Sequence, residues 1–307
     1  MNKSLVSIII AAKNAEATLG KCLDNVFRLR YPDIEVIVVD DGSVDGTGDI
    51  ARSYPKVQVL RTDGVGPSKA RNLAVVVARG AFIAFTDADC LVATDWLGEL
   101  TKGFVSDSVA GVGGVQRSPE DEQPFGRKVN LFLSFYGFLT NYMQRSLSIK
   151  EVPHNASCNV MYRKAVYERL GGLWEGFWPG EDLDFDHRLR KRGYKLMMVP
   201  GAVVYHYRPR TLAGFRNMMF RYGWAQGKLV REYGVFRFVQ WVPLVVLAAA
   251  VLIIWGVVIY PVQTFLSVLI LLGAGWGWLR FDGLLFQLTW IAFFSWHKGF
   301  LKGLVGR

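Results

Sequence analysis

Four clusters in this 307-residue chain carry residue types that do chemistry. The first is Val38-Val39-Asp40-Asp41-Gly42-Ser43, with Asp45, Gly46 and Thr47 just beyond. A carboxylate at a strand end can accept hydrogen bonds from a nucleobase imide or a ribose hydroxyl. Gly42 would let backbone come close, and Ser43 or Asp45 can cap the next helix. A plain strand–turn–helix uses the same turn-forming residues. The second is Asp87-Ala88-Asp89. Two carboxylates so spaced in a turn can hold a hard divalent ion against a diphosphate, although a surface turn also reads this way. The third runs from Gly64 through Gly66, Pro67, Ser68, Lys69 and Ala70 to Arg71 and Asn72. A glycine-flanked helix start with Lys69 and Arg71 nearby favours phosphate. It lacks the ending of a Walker motif, and a solvated helix start explains Lys69 as well. The fourth is Gly180-Glu181-Asp182-Leu183-Asp184-Phe185-Asp186. Acids crowded at a helix start should raise at least one pKa, which suits a general base. Favourable interaction with the helix dipole alone would explain Asp184 and Asp186. Trp174, Phe177 and Trp178 precede this cluster and could form an apolar platform or join a core.

The elements that must position these clusters follow from the hydrophobic pattern. Val6–Ala11, Ile34–Asp40, Val57–Arg61 and Phe82–Thr86 read as strands. Ala15–Phe27, Gly46–Ser53 and Pro67–Val77 read as helices, Pro67 suiting a first turn. This alternation predicts a parallel sheet with helices on both faces. Ligands then sit beyond the carboxyl ends of the strands, where Asp40-Asp41 and Asp87-Ala88-Asp89 both fall. Further on, Arg127–Lys150 reads as a long aromatic helix, Asn155–Tyr162 as a strand and Lys164–Leu170 as a short helix. Glu181–Arg192 reads as a charged helix, and Lys195–Val199 and Ala202–His206 as short strands.

Residues 238–300 are dominated by apolar side chains. Trp241–Tyr260 and Val262–Leu279 are each near the roughly 20 residues of a spanning helix. Phe281–Phe300 carries Asp282, Gln287, His297 and Lys298 among its Trp and Phe, and reads as an interfacial helix. The net charge of +10 suits anionic lipid or phosphorylated ligands. No nucleic-acid motif accompanies it, so nucleic acid is not an expected partner. Cys22, Cys90 and Cys158 form no zinc pattern and fit a reducing, intracellular setting.

Taken in order, VSIII, VVDDGSVDGT, KARNLA, FTDADC, CNVMYRKAVYERLGG and GEDLDFDHRLRKRGYK resemble family 2 glycosyltransferases with the GT-A fold. The resemblance covers roughly residues 5–210. The apolar tail after RYGWAQGK looks like the membrane-attached bacterial exopolysaccharide branch. The resemblance implies an α/β GT-A catalytic domain over 1–237, with a nucleotide-sugar half at 1–115 and an acceptor half at 116–237. Two transmembrane helices over 238–280 and an interfacial segment at 281–307 would follow.

By position, the resemblance puts Asp40 and Asp41 at the nucleoside, Asp40 being the base-binding acid. It puts Asp87, Ala88 and Asp89 at a metal-bound diphosphate, with manganese or magnesium on Asp89. Asp182 becomes the catalytic base with Glu181 beside it, and Asn159 and Trp178 lie near the acceptor. Lys69 and Arg71 join the donor site. His206 closes a late strand, where some enzymes of this fold place a metal ligand. His154 and His187 are weaker candidates. Where the family often has Pro-Ala-Tyr-Asn, this chain has Ala11-Ala12-Lys13-Asn14, so the nucleotide is open. The processive signature Gln-x-x-Arg-Trp is missing, which favours single additions.

The expected reaction is inverting transfer from a nucleotide sugar to a hydroxyl of a lipid-linked or glycan acceptor. The expected setting is a bacterial-type cytoplasmic membrane, crossed more than once, with the catalytic domain in the cytoplasm. A polyprenyl-phosphate sugar transferase is the near alternative; a silent membrane scaffold or nucleotide-sugar binder is the alternative of another class.

Overall fold

The computed structural model describes residues 4–136, 148–259 and 283–306. They divide into two compact units, Met1–Arg208 and Pro209–Arg307.

The first unit is built on one nine-stranded sheet. Strands β1 (Val6–Ala12), β2 (Ile34–Asp41), β3 (Val57–Thr62) and β4 (Phe82–Asp87) alternate with α1 (Glu16–Val26), α2 (Thr47–Arg52) and α3 (Pro67–Val77). Then come β5 (Cys90–Val92), α4 (Trp96–Lys102), β6 (Val109–Arg117), α5 (Pro124–Phe135) and β7 (Lys150–Glu151). They are followed by β8 (Val160–Arg163), α6 (Lys164–Arg169), α7 (Glu181–Lys191) and β9 (Lys195–His206). The strand order is β3-β2-β1-β4-β8-β6-β9-β5, with β7 paired to β9.

Both faces of the sheet are buried, as a run such as Val6–Ala12 requires. Ile8 and Ile10 pack with Leu19, Leu23 and Val26 of α1 and with Trp96, Leu97 and Leu100 of α4. Ile9, Ile37, Val39 and Phe85 pack on the other side against Ala70, Ala74 and Val75 of α3 and Phe185 and Leu189 of α7. β1 pairs in parallel with β2 and β4, so their carboxyl ends lie side by side.

The structure departs from the sequence expectation in four places. The sheet is mixed: β8 runs antiparallel to both β4 and β6, and β5 antiparallel to β9. Residues 155–159 form a turn before β8, so the expected strand from Asn155 starts at Val160. The two short late strands are one strand, β9, which crosses Pro200-Gly201 beside a register shift in β6. The expected Arg127–Lys150 helix begins at Pro124 and ends at Phe135, with Lys150 already in β7; residues 137–147 are outside the described ones.

The second unit contains α8 (Leu212–Tyr233), a short 3-10 turn at Phe238–Gln240, α9 (Trp241–Ile259) and α10 (Gly283–Val305). Thr211 caps α8, its Oγ1 accepting from Gly214 N at 3.1 Å. The segment Phe238–Trp255 is the described stretch long and apolar enough to cross a membrane. Val245, Leu252, Ile254 and Trp255 on α9 are all exposed. The expected second span, Val262–Leu279, lies outside the described residues. The expected interfacial segment is α10, which buries Leu288, Ala292, Trp296 and Phe300 on one stripe and exposes Phe294 on another.

α8 and α10 meet through glycines four residues apart on each. A Cβ on Gly223 would stand 1.9 Å from the Trp296 carbonyl oxygen, and one on Gly227 2.0 Å from that of Phe300. A Cβ on Gly299 would stand 2.0 Å from the Phe220 carbonyl oxygen, and one on Gly303 2.1 Å from that of Trp224. The two backbones touch because neither has a side chain between them, the geometry that small residues four apart allow. Gly227→Leu is predicted to force the helices apart and to cost at least the ~1–3 kcal/mol of overpacking. Gly283→Ala, where a Cβ meets nothing within 4 Å, is predicted to leave stability unchanged. Thermal unfolding of the two variants in detergent checks both.

Candidate active site

Asp40 and Asp41 end β2, both buried. Asp40 Oδ1 accepts from Ser43 N at 3.0 Å and its Oδ2 from Arg61 Nη1 at 2.8 Å. Asp41 Oδ1 accepts from Thr62 Oγ1 at 2.6 Å and Val65 N at 2.7 Å, and its Oδ2 from Gly66 N at 2.9 Å. Asp41 thus fastens the Gly64–Gly66 loop, and Asp40 fastens its own turn. Gly42 is forced: φ is +71°, and a Cβ would stand 2.9 Å from Gly64 N. Asn14 joins the same rim in a left-handed conformation, φ 51°. Its N donates to Ser43 Oγ at 3.0 Å, and its Oδ1 accepts from Val44 N at 3.0 Å. Ala11 lies near the end of β1, half-buried, and Lys13 is exposed above Gly64.

Arg71 is the centre of the arrangement. It lies on α3 and is 3% exposed. Nη2 donates to Asp87 Oδ1 at 2.6 Å, and Nη1 to Glu181 Oε1 at 2.9 Å. One guanidinium therefore ties the Asp87-Ala88-Asp89 turn to the start of α7. A planar fork with fixed donors suits this better than an ammonium. Lys69 points elsewhere, toward Glu175 at 3.8 Å.

The acids of α7 divide into distinct roles. Gly180, with φ 114°, precedes the helix. Glu181 is buried; its Oε2 accepts from Gly180 N at 3.0 Å. Burial first, then the neighbouring Asp182, pushes Glu181 up to about 8, while Arg71 pulls the other way. The expected rise is thus present, with desolvation ahead of charge repulsion. Asp182 is partly exposed; its oxygens accept from Ser157 N at 3.1 Å and Leu183 N at 2.8 Å. Asp184 is buried against Arg188, at 2.7 Å and 2.9 Å from its Nη2 and Nε. Asp186 is buried between Tyr162 Oη at 2.7 Å, Asn155 N at 2.7 Å and His154 Nδ1 at 2.9 Å. His154 Nε2 in turn lies 3.9 Å from Asp182 Oδ2. Asp184 and Asp186 thus fix the helix through side chains, beyond any dipole effect.

Asp89 is half-exposed, and its Oδ1 lies 3.5 Å from His206 Nε2. Burial pushes the Asp89 carboxyl up, but His206 outweighs it and holds the group below the usual range. Burial opposes a charge on His206, yet Asp89 outweighs this and pushes the imidazole up to about 10. Donor atoms of Asp87, Asp89, Cys90 and His206 lie within 4.8 Å of one another. The two carboxylates suit manganese or magnesium, whereas the imidazole and thiol suit softer ions. Ala88 is buried beneath the turn.

Two candidates stand apart from this centre. Asn159 is buried, with Oδ1 accepting from Trp96 Nε1 at 2.8 Å. Its Nδ2 donates to the Val115 and Ala202 carbonyls at 3.0 Å each. It cross-links β6, β9 and α4, so its amide is spent inside the fold. Trp178 is exposed just before α7, whereas Phe177 beside it is buried. Ser157, just outside the family motifs, donates its backbone N–H to Asp182.

The chain is similar to known proteins along most of its length. Residues 7–171 match the sequence profile of glycosyl transferase family 2. It is 32% identical over 228 residues to glycosyltransferase AglE of Haloferax volcanii, covering 72% of each chain. It is 29% identical over 196 residues to a beta-monoglucosyldiacylglycerol synthase of Nostoc, covering 60% of this chain but only 41% of that one. In fold it matches the mannosyltransferase PcManGT of Pyrobaculum calidifontis, solved in complex with GDP-Man and Mn2+. That match has a TM-score of 0.73 and 21% identity over 100% of this chain and 89% of the other. The mixed sheet with acidic motifs at its strand ends is therefore a GT-A nucleotide-sugar transferase fold. The chain belongs to glycosyl transferase family 2.

Arg71→Met is predicted to destabilise the first unit by up to about 3–5 kcal/mol, because it leaves buried Glu181 and partly exposed Asp87 without their shared donor. Arg71→Lys is predicted to recover only part, since one ammonium lacks the fork that meets both partners. Urea unfolding of the three proteins measures the order.

Proposed function

We propose that this chain is an inverting, metal-dependent glycosyltransferase whose base is Asp182 and whose acceptor is lipid-linked. The observation that carries the reading is the Arg71 fork, which holds the Asp87-Ala88-Asp89 turn and the Glu181-Asp182 helix start on either side of one guanidinium. Donor and acceptor chemistry must lie this close if a hydroxyl is to attack a sugar leaving a diphosphate.

Asp182 has the access that Glu181 lacks. Two backbone N–H groups orient its carboxylate and leave lone pairs for an acceptor hydroxyl. It takes the proton as the hydroxyl attacks the anomeric carbon from the side opposite the diphosphate, which inverts the linkage. Glu181 positions Arg71. Asp87, Asp89 and His206 would hold a divalent ion, whose charge would stabilise the departing diphosphate. The loop rim from Asn14 to Ser43, with Lys13 and the Asp41-fastened Gly64–Gly66 segment, would surround the nucleoside. The proposal places catalysis over 1–237, with the acceptor half after residue 115.

A lipid-linked acceptor fits the exposed apolar surface of α9 and the relative whose name states a glycolipid product. Arg208, Arg210, Arg216, Arg221, Lys228, Arg231 and Arg237 precede α9, and Lys298, Lys302 and Arg307 close the chain. Cytoplasmic flanks collect such charges. A two-span hairpin over 238–280, with α10 along the inner leaflet, puts both groups on one side.

Asp182→Asn is predicted to retain nucleotide-sugar binding and to lose at least the ~10²–10⁴-fold of general base catalysis. Asp89→Ala is predicted to lose transfer together with metal-dependent donor binding. Calorimetric binding of a panel of nucleotide sugars, with product NMR for linkage, separates the two. Asp182→Asn turnover near that of wild type would sink the base assignment, and a retained linkage would sink inversion. A reporter fused after Arg307 is predicted to be active only on the cytoplasmic side. Activity on the outer side would overturn the hairpin.

A further inference from the structure

The three cysteines, scattered in sequence, converge under the Asp87-Ala88-Asp89 turn. Cys22 on α1 places its Sγ 3.5 Å from the Asp87 carbonyl oxygen. Cys90 opens β5, directly across the sheet from His206 on β9. Cys158 ends the turn before β8, with Sγ 3.8 Å from His206 Nδ1. All three thiols are free and buried.

Cys90, Cys158 and His206 form a tighter set. Their donor atoms lie within 4.8 Å of one another. A point about 2.8 Å or less from all three therefore exists between them, against zinc bonds of about 2.3 Å to sulfur and about 2.0 Å to nitrogen. Closing onto an ion requires shifts of up to about 0.5 Å at each sulfur and about 0.8 Å at the nitrogen, within reach of side-chain rotation. Asp89 Oδ1, 3.8 Å from Cys90 Sγ, is at hand as a fourth ligand.

We propose that Cys90, Cys158 and His206 form a soft-metal site that takes Zn2+ or a similar thiophilic dication. Two sulfurs and an imidazole select such an ion, whereas carboxylates and water select magnesium or manganese. His206 stands between the two chemistries. Its Nε2 faces Asp89, and its Nδ1 faces Cys158. Arg208 Nη1 at 3.4 Å and Gln116 Oε1 at 3.5 Å also approach Nδ1, and a bound ion replaces them there. Charge closes around the site: two thiolates and Asp89 oppose the dication and the Arg208 guanidinium. Because Asp89 borders both positions, an ion on the thiols that takes Asp89 withdraws it from the hard-cation position. Zinc binding itself is independent of the transferase reading; only its inhibitory consequence rests on that reading.

The test loads the full chain in detergent with one equivalent of Zn2+ under excess Mg2+, desalts it, and records zinc K-edge X-ray absorption. Two sulfur neighbours completed by nitrogen or oxygen are expected. Cys90→Ser is expected to leave one sulfur neighbour, and Cys22→Ser to leave both. Zinc lost on desalting, or retained with nitrogen and oxygen neighbours alone, overturns the proposal, as does loss of a sulfur neighbour in Cys22→Ser. The wild-type spectrum decides the matter even where a variant fails to fold. None of these readings involves sugar transfer, so failure of the transferase reading leaves them intact.

Discussion

A buried cation must be paired, and in this protein that requirement falls on Arg71. Its guanidinium is out of water and bonded to Asp87 and Glu181. Removing both acids leaves its charge stranded in a low-dielectric setting, where breaking a buried pair costs about 3–5 kcal/mol. Sequence distance makes the constraint informative. Asp87 closes β4, Glu181 opens α7, and Arg71 reaches both from α3. The two acidic motifs are therefore held to one another by electrostatics, on top of the packing beneath them.

The sheet supplies that packing. β1, β2 and β4 end level with one another, so their terminal residues and loops share one rim. Alternate side chains of β1 seat α1 and α4 on one face and α3 and α7 on the other. Antiparallel β8 then carries the chain back across β4, which brings His154, Ser157 and Cys158 to the same rim. Some acids there are buried and bonded by the protein. Asp40, Asp41, Asp184 and Asp186 hold loops or helices in place. Asp89 and Asp182 keep accessible oxygens, and these two bear the proposed chemistry.

Much of this was legible in sequence where local signals are strong. The strand–helix alternation through Thr86, the Pro67 helix start and the acidic start of α7 all follow from short-range patterns. Family resemblance sharpened the same segments into a glycosyltransferase, and the fold agrees. Long-range features were harder. β6 carries Gly111, Gly113 and Gly114, which weaken a strand signal, and it forms because β8 and β9 flank it. β9 runs through Pro200-Gly201, where a local reading inserts a break. Asn159 lies in a family motif, but its amide is used inside the fold. The cysteines meet only after the sheet closes. The glycines of α8 and α10 are spaced for close packing, yet each pair is uninformative without its partner helix.

The central claim is that Arg71 couples the Asp87 turn to the Glu181 helix start. A double-mutant cycle of Asp87→Asn and Glu181→Gln, read by urea unfolding, tests it most directly. With either acid replaced Arg71 retains one carboxyl partner, and with both replaced it retains none. The account predicts that the double variant loses more stability than the two singles together, by more than the ~0.5 kcal/mol within which independent sites add. Additive losses would contradict it.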